Sequence, residues 1–143
     1  IYVFNDSPNE SESINIDKDL FDEVITNLLD NAVKYSFNKR ELQQKGFNYD
    51  PMDNRSLGNI LVFYSVGVGK VVIKVTNLGT IINEDEKEKI FNRFYRGRNA
   101  KYFSPVGSGI GLFLVKKILE VMKGEIDVIT EQYKTTFVVT IKQ

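Results

Sequence analysis

The sequence predicts an α+β domain, a two-layer sandwich with helices on one face of a mixed, mostly antiparallel sheet. Two segments repeat apolar residues at intervals of three and four, which is the spacing of an amphipathic helix. Four other segments are rich in β-branched residues and lie in pairs across short turns, which predicts two hairpins. The chain has 143 residues, a length that suits a single domain covering 1–143.

The N-terminal part of the chain predicts two strands and one long helix. The stretch 1–5 is typical of a strand, and 14–16 predicts a second, short one. Asp17 or Asp19 would cap a helix that ends near Ser36, because an aspartate ahead of an apolar periodic segment accepts hydrogen bonds from the first turn. The apolar positions of this helix are Leu20, Phe21, Val24, Leu28, Ala32 and Tyr35.

The middle of the chain predicts a short helix, a loop and a hairpin. The helix covers 39–46 and closes on Gly46, and 47–59 contains turn residues without periodicity. The segments 60–66 and 70–77 meet across a glycine-containing turn. The letters GVGK at this turn are similar to part of a phosphate-binding loop, but its earlier glycine and its Ser/Thr are missing, so we interpret them as a turn.

The last third of the chain predicts two helices and a closing hairpin. The segment 83–91 indicates a short helix with acidic residues in its first turn, and 92–106 has no period and predicts a loop. The segment 107–124 predicts a glycine-rich turn that opens a helix, with Gly124 just past the end of that helix. The closing strands are 125–130 and 135–141.

The composition excludes several classes of function. Nineteen Lys and Arg residues balance nineteen Asp and Glu residues, so no net positive charge would attract nucleic acid or a membrane. The chain has no cysteine and no histidine, which excludes disulfides, thiolate metal sites and mechanisms that use a histidine of its own. No apolar run approaches the roughly 18 residues of a membrane span, and no signal peptide is visible. We interpret the chain as a cytosolic domain of a longer protein.

Asn27, Asn31 and Lys34 form a polar stripe that is bounded by apolar residues of the predicted helix. Side chains three and four positions apart share one face of a helix. An amide oxygen is a hard, neutral ligand suited to Mg²⁺, and a lysine is a point charge suited to phosphate. The stripe therefore predicts a site for metal-bound phosphate, with a solvated polar face as the alternative.

Two further segments have the composition of a phosphate site. In GSGIGL at 107–112, the glycines allow close approach of the backbone, and the following helix presents free N–H groups. This favours a phosphate cradle over a plain helix-opening turn, although the G-x-G-x-G spacing is not the dinucleotide-binding fingerprint. The segment IFNRFYRG at 90–97 places Arg93 and Arg96 among aromatic residues, which suits either a loop that folds over phosphate or a set of core aromatics.

Taken in order, these segments resemble the catalytic and ATP-binding domain of bacterial sensor histidine kinases. The wider superfamily, known as GHKL, includes a heat-shock chaperone, DNA gyrase and a mismatch-repair ATPase. DEVITNLLDNAVKYS at 22–36 looks like the N-box of the family, and VTNLGTII at 75–82 takes the place of its first glycine box. IFNRFYRG looks like the F-box, and GSGIGLFLVKKI at 107–118 like the second glycine box. The resemblance covers nearly the whole chain and implies the Bergerat ATP-binding fold.

The resemblance also implies roles for individual residues. Asn31 would ligate the Mg²⁺ that bridges the ATP phosphates, Asn27 would assist, and Lys34 would contact phosphate. A lid, residues 92–106, would close over ATP and bring Arg93 or Arg96 near phosphate. The residues implied to contact ATP are Asn27, Asn31, Lys34, Tyr35, Asn77, Gly79, Ile81, Phe94, Gly107, Ser108, Gly109, Ile110, Gly111 and Leu112.

The first glycine box departs from the D-x-G-x-G pattern of the family. Asn77 replaces the aspartate that accepts from the adenine amino group, and Ile81 replaces the second glycine. An asparagine keeps an acceptor and can donate to a ring nitrogen, but it loses a charge-assisted hydrogen bond, at an expected cost of about 1–3 kcal/mol in binding. A β-branched residue at position 81 disfavours a positive φ and would narrow the base pocket.

The resemblance implies a chain that binds Mg-ATP and donates the γ-phosphoryl to a histidine on a separate dimerisation domain, with a response regulator downstream. One alternative is a degenerate, pseudokinase-like domain that only transmits conformation. A second is an anti-sigma-type serine kinase or another superfamily ATPase, but these usually carry a glutamate where this chain has Asn27. The expected setting is the cytoplasmic part of a membrane-bound sensor, without direct contact to membrane or nucleic acid.

Overall fold

The computed structural model describes residues 1–5, 7, 13–47 and 59–142. Within these ranges, five strands form one sheet in the order β1-β2-β3-β5-β4. The first strand pairs in parallel with the second, and the other neighbours are antiparallel. The strands are β1 (Tyr2–Asn5), β2 (Ile60–Gly67), β3 (Lys70–Leu78), β4 (Gly124–Glu131) and β5 (Lys134–Lys142).

The helices of the described residues are α1 (Lys18–Tyr35), α2 (Lys39–Gln44), α3 (Arg98–Phe103) and α4 (Gly111–Val121). Asp17 caps α1, because its carboxylate accepts from the backbone N–H of Leu20 at 3.1 Å. Asn38 caps α2 in a capping box with Glu41. None of the helices in these ranges has both the length and the apolarity needed to cross a membrane.

The hydrophobic core lies between the sheet and the helices α1 and α4. Alternate residues of β3 and β5 face these helices, as expected for the period of two along a strand. Burial of each such side chain stabilises the fold by about 1.5–3 kcal/mol. The main contributors are Val24, Leu28, Ala32, Val71, Ile73, Val75, Val115, Ile118, Leu119, Phe137, Val139 and Ile141. The predicted α+β class, with helices on one face of a mostly antiparallel sheet, is confirmed.

Two predictions for the N-terminal half have different outcomes. The predicted strand at 14–16 is wrong: these residues lie outside any strand, and Ile14 and Ile16 pack against the core ahead of α1 instead. The predicted helix at 39–46 is confirmed as α2, with Gly46 at a φ of 83° after its end. Most of the predicted loop at 47–59 lies outside the described residues.

The predicted helix at 83–91 is wrong. The segment instead forms two 3₁₀ turns, Glu84–Glu86 and Lys89–Phe91. The physical reason is the burial of Glu86, which is only 2% exposed and whose carboxylate accepts from the Tyr95 hydroxyl in the segment that follows. The predicted acidic first turn is therefore only partly a solvent-facing surface.

Two further corrections concern the last third of the chain. The segment 92–106, predicted as a loop, contains α3. The Arg96 side chain donates to the carbonyl oxygens of Ala100 in α3 and Pro105 just after it, and no sequence period reports such contacts. Gly124 belongs to β4, and Lys123 takes the positive φ of 56° after α4. Gly124 is needed for packing, since a Cβ there would lie 3.1 Å from side-chain atoms of Leu119 and Ile141.

Candidate functional site

A cavity of about 410 Å³ lies between α1, the end of β3 and the lid. Its volume falls within the range of small-molecule sites. Most of the residues that the sequence singled out line it, although they come from four separate segments of the chain. These are Asn27, Asn31, Lys34, Tyr35, Asn77, Ile81, Arg96, Gly107, Ser108, Gly109, Gly111 and Leu112.

The polar stripe of α1 faces this cavity. Asn27 has a fixed orientation, because its Nδ2 donates to the backbone oxygen of Glu23 at 2.9 Å and to the Glu23 carboxylate at 3.0 Å. The Oδ1 of Asn27 therefore points toward the start of α4, where a Cβ on Gly111 would lie 2.9 Å away. Asn31 and Lys34 follow on the same face and also line the cavity. The absence of a side chain at Gly111 lets α4 approach the Asn27 amide closely.

Two cationic side chains meet beside Gly107 at one end of the cavity. A Cβ on Gly107 would lie 2.7 Å from the Lys34 Nζ and 3.2 Å from the Arg96 Cζ. Two positive groups beside a bare stretch of backbone suit an anion. The Arg96 guanidinium is nevertheless engaged, since it donates to the backbone oxygens of Pro105 at 2.9 Å and Ala100 at 3.3 Å. Lys34 is therefore the better candidate for contact with a ligand.

The glycine-rich turn packs directly on the F-box-like segment. Gly109 has a φ of 69°, and a Cβ there would lie 2.7 Å from the backbone carbon of Phe94 and 2.8 Å from the backbone oxygen of Tyr95. The Phe94 N–H donates to the Gly109 oxygen at 2.9 Å. This position therefore requires glycine both for its backbone conformation and for its close contact.

The other end of the cavity is formed by the end of β3. Asn77 is 4% exposed, and its Nδ2 is buried without a hydrogen-bond partner in the described part of the chain. Gly79 lies against α1, where a Cβ would overlap the Tyr35 carbonyl oxygen and approach the Asn77 Nδ2 to 2.9 Å. Thr135, opposite Asn77 in the sheet register, donates its hydroxyl to the Thr80 oxygen at 3.3 Å.

Four of the residues implied by the resemblance lie outside the cavity lining. Arg93 is exposed, and its guanidinium lies 4.6 Å from the ring centroid of Phe94, which is itself 62% exposed. Ile110 is at the N-cap of α4 and exposed. Gly79 packs against Tyr35 and Asn77, two residues of the cavity lining. Ile81 lines the cavity without the expected backbone strain, since it has no positive φ.

Sequence reasoning missed several polar residues of the cavity. Asp30 lies within the N-box-like segment, and the other residues come from the end of β3, the 3₁₀ turns, the lid and β5. A short polar interruption in a β-branched strand, as at TTF in β5, was the available signal for Thr135. The missed polar residues are Asp30, Thr80, Glu86, Tyr95, Asn99 and Thr135.

Glu86 connects the 3₁₀ turns to the lid. Its carboxylate accepts from the Asn83 Nδ2 at 2.6 Å and from the Tyr95 hydroxyl at 2.8 Å. It also accepts from the backbone N–H of Arg98, at the start of α3, at 2.9 Å. Burial alone would raise the pKa of Glu86, but these hydrogen bonds and the Arg98 guanidinium outweigh it and lower the pKa from 4.5 to about 2. The bond to Glu86 raises the pKa of Tyr95.

We predict that Glu86→Gln destabilises the fold by about 1–3 kcal/mol at pH 7, because neutral glutamine forms weaker hydrogen bonds to the lid. The folded-state pKa of Glu86 is below its unfolded value, so the extra stability of the native chain is complete above about pH 4.5 and is lost as the pH falls toward 2. Thermal melts of both chains between pH 7 and pH 3 measure this difference.

Glu88→Gln is the control for this comparison, because Glu88 is exposed. Its melting curves should follow those of the native chain at every pH. A stability difference between the native chain and Glu86→Gln that stays constant as the pH falls would contradict the assigned role of the carboxylate.

Comparison with known proteins gives consistent matches over this fold and site. The profile of the family described as Histidine kinase-, DNA gyrase B-, and HSP90-like ATPase matches residues 16–143. Sensor protein SrrB of Staphylococcus aureus is 31% identical over 126 residues, which cover 87% of the chain and 18% of SrrB. The chain therefore spans about a fifth of the length of this relative.

Two solved structures share the fold. The catalytic domain of histidine kinase ThkA superposes with a TM-score of 0.71 at 24% identity, over 99% of the chain and 78% of that domain. Full-length ShkA in complex with AMPPNP superposes with a TM-score of 0.70 at 21% identity, over 98% of the chain and 24% of ShkA.

Proposed function

Since the chain belongs to the family of histidine kinase-, DNA gyrase B- and HSP90-like ATPases, we propose that it binds Mg-ATP and donates the γ-phosphoryl to a histidine. The observation that carries this proposal is the convergence of the α1 amides, Lys34 and the glycine-rich turn on one cavity of about 410 Å³. The chain has no histidine, so the acceptor belongs to a separate dimerisation domain of a longer sensor protein. That sensor would pass the phosphoryl group to a response regulator, with the 1–143 domain in the cytoplasm.

The donor set at the α1 end of the cavity fits a magnesium ion. Asn27, Asp30 and Asn31 line this end and carry the oxygen atoms that Mg²⁺ prefers. We assign the metal to Asn31, with Asn27 supporting it through an oxygen whose direction is fixed by Glu23. When bound, the ion would neutralise charge on the phosphates.

Lys34 and the glycine-rich turn would hold the phosphates. The Lys34 ammonium reaches the space beside Gly107, where the bare backbone leaves room for an anion. Arg96 would contribute indirectly, by holding the backbone of the lid in place. Transfer would form a bond between an imidazole nitrogen of the acceptor histidine and the γ-phosphorus and would break the bond from that phosphorus to the β–γ bridging oxygen, which leaves with ADP. The work of these residues is therefore positioning and charge neutralisation.

The end of the cavity at β3 would hold the base. Tyr35 and Ile81 supply apolar surface there, and Asn77 supplies a buried amide. A purine satisfies such a combination, because it has apolar faces and a hydrogen-bonding edge. The unpartnered Nδ2 of Asn77 is the feature of this end that best fits a bound base.

Particular residues bear on the two alternatives to phosphoryl transfer to a histidine. A domain that only transmits conformation is favoured by Asn77 in place of a carboxylate and by the engagement of Arg96 in the lid. A serine kinase or hydrolase is disfavoured by Asn27, because an amide at that position cannot act as a general base.

The first test of the proposed function is a calorimetric titration of the chain with ATP, with and without Mg²⁺. We expect a Kd between about 1 μM and 1 mM in the presence of Mg²⁺, the usual range for substrates, and much weaker binding with EDTA. Absence of binding under both conditions would contradict the proposal and favour the domain that only transmits conformation.

The second test adds the histidine-bearing dimerisation fragment of the same sensor protein and ATP labelled at the γ-phosphate. Label that is stable to base and lost in acid identifies phosphohistidine. A fragment with that histidine replaced by alanine serves as the control. Binding without transfer would contradict the catalytic part of the proposal, and acid-stable label would indicate a serine kinase.

A further inference from the structure

The buried amide of Asn77 has a hydrogen-bonding requirement that the described protein residues leave unmet. Its Nδ2 is buried and unpartnered, and the residue lines the cavity. A buried N–H group without an acceptor is unfavourable, so a ligand that offers an acceptor at this point is favoured. This inference rests on the nucleotide site proposed above and concerns which base that site accepts.

The neighbouring donors in the cavity already have acceptors of their own. The hydroxyl of Thr135, opposite Asn77 in the sheet, donates to the Thr80 oxygen at 3.3 Å. The Asn99 Nδ2 donates to the Ile81 oxygen at 2.8 Å. Asn77 therefore carries the donor at the base end whose hydrogen bond the described residues leave unmet, and the amide must turn toward the cavity to meet a ligand.

An amide and a carboxylate differ in which purine edge they tolerate. A carboxylate only accepts, so it suits the amino group at position six of adenine and repels a carbonyl oxygen there. An amide carries one donor and one acceptor side by side, and rotation by half a turn exchanges them. It can accept from the adenine amino group while donating to N1, or donate to O6 of a 6-oxopurine while accepting from its N1–H.

We propose that the site accepts 6-oxopurine nucleoside triphosphates, those of inosine and guanosine, in addition to ATP. The Asn77 Nδ2 donates to O6, and its Oδ1 accepts from N1–H. The residue that in the family pattern would reject a 6-oxo group is absent, and the carboxylate of Glu86 is occupied by Asn83, Tyr95 and Arg98. This chain therefore discriminates only weakly between an amino and an oxo group at position six of the purine.

The test compares the binding of ATP and inosine triphosphate, which differ at position six and in the N1 proton that accompanies it. Calorimetry in Mg²⁺ should give Kd values within about tenfold of each other for the native chain. Guanosine triphosphate adds an amino group at position two and shows whether the pocket has room for it. In Asn77→Asp the preference for ATP over inosine triphosphate should rise by about ten- to a hundredfold, since one matched pair of hydrogen bonds carries discrimination of this size.

The outcomes separate this inference from the proposed function. A native chain that binds ATP at least about a hundredfold more tightly than inosine triphosphate overturns the inference and leaves the ATP site intact. Binding of neither nucleotide overturns both. An unchanged preference in a folded Asn77→Asp chain overturns the role of Asn77. The native comparison needs no variant, so it decides the question of base selection even where the buried aspartate impairs folding.

Discussion

Replacing Asn31 with alanine is expected to abolish Mg²⁺-dependent nucleotide binding while leaving the fold intact. Asn31 lines the cavity in the middle of the polar stripe of α1, and its side chain is only partly buried. Loss of a metal ligand removes the connection between protein and phosphate, so the affinity for Mg-ATP should fall at least about a hundredfold, or about 3 kcal/mol. Calorimetric titration with ATP and Mg²⁺ measures this change.

Thr26→Ala is the matched control, because Thr26 is an exposed polar residue of the same helix and lies outside the cavity lining. It should keep native affinity. Thermal melts establish that both variants fold. Native affinity in Asn31→Ala would exclude Asn31 as the metal ligand, and equal losses in both variants would point to the stability of α1 instead.

Gly79→Ala is expected to lower the free energy of unfolding by roughly 3–5 kcal/mol, because rigid backbone surrounds this position. The new Cβ would overlap the Tyr35 carbonyl oxygen, which accepts from the Thr80 N–H at 3.1 Å. Gly79 itself donates to the Tyr133 oxygen at 2.8 Å, so the backbone cannot shift without breaking a hydrogen bond. Urea unfolding at pH 7 measures the loss.

Gly97→Ala provides the comparison for the same change of residue. A Cβ on Gly97 would have its nearest contact at 3.5 Å, to Oε1 of Glu86, which is ordinary van der Waals distance. Its unfolding midpoint should stay close to that of the native chain. Similar unfolding midpoints for the two variants would show that the backbone at Gly79 can relax and that the contact with Tyr35 does not restrict it.

The parts of the fold that depend on local patterns were predictable. The cap at Asp17, the apolar period of α1 and the hairpin β2–β3 follow from neighbouring residues alone. The strand predicted at 14–16 shows the limit of this approach, because Ile14 and Ile16 are apolar for packing on the core rather than for pairing. The spacing of apolar residues reports which side chains are buried, whereas a strand also requires a neighbouring strand to pair with.

The elements that were missed depend on contacts from outside their own segment. The Arg96 side chain donates to the Ala100 oxygen within α3 and to the Pro105 oxygen after it, and no period within 98–103 reports these contacts. Glu86 has the appearance of a surface residue in an acidic segment, but the lid supplies its hydrogen bonds. Long-range polar contacts of this kind leave no repeating signal in the sequence.

The candidate site was predictable residue by residue but not as an arrangement. Amide and lysine chemistry on α1 indicated metal and phosphate, and the alternating glycines indicated a cradle. The approach of Gly107 to Lys34 and of Gly111 to Asn27 joins segments about 80 positions apart, so local reasoning could not pair them. The resemblance to a family supplied that pairing. Of the two arginines that it implies near phosphate, Arg96 lines the cavity and Arg93 is exposed.

The lid is held together before any ligand arrives. Glu86 fixes Tyr95 and the start of α3, and Arg96 fixes the end of α3. The ring of Phe103 in turn packs edge-on against Phe37, with the centroids 6.2 Å apart. A loop that must become ordered on binding loses about 0.5–1.5 kcal/mol per immobilised side chain in conformational entropy. Here that loss occurs when the chain folds, so binding of a ligand against this segment would require little further ordering.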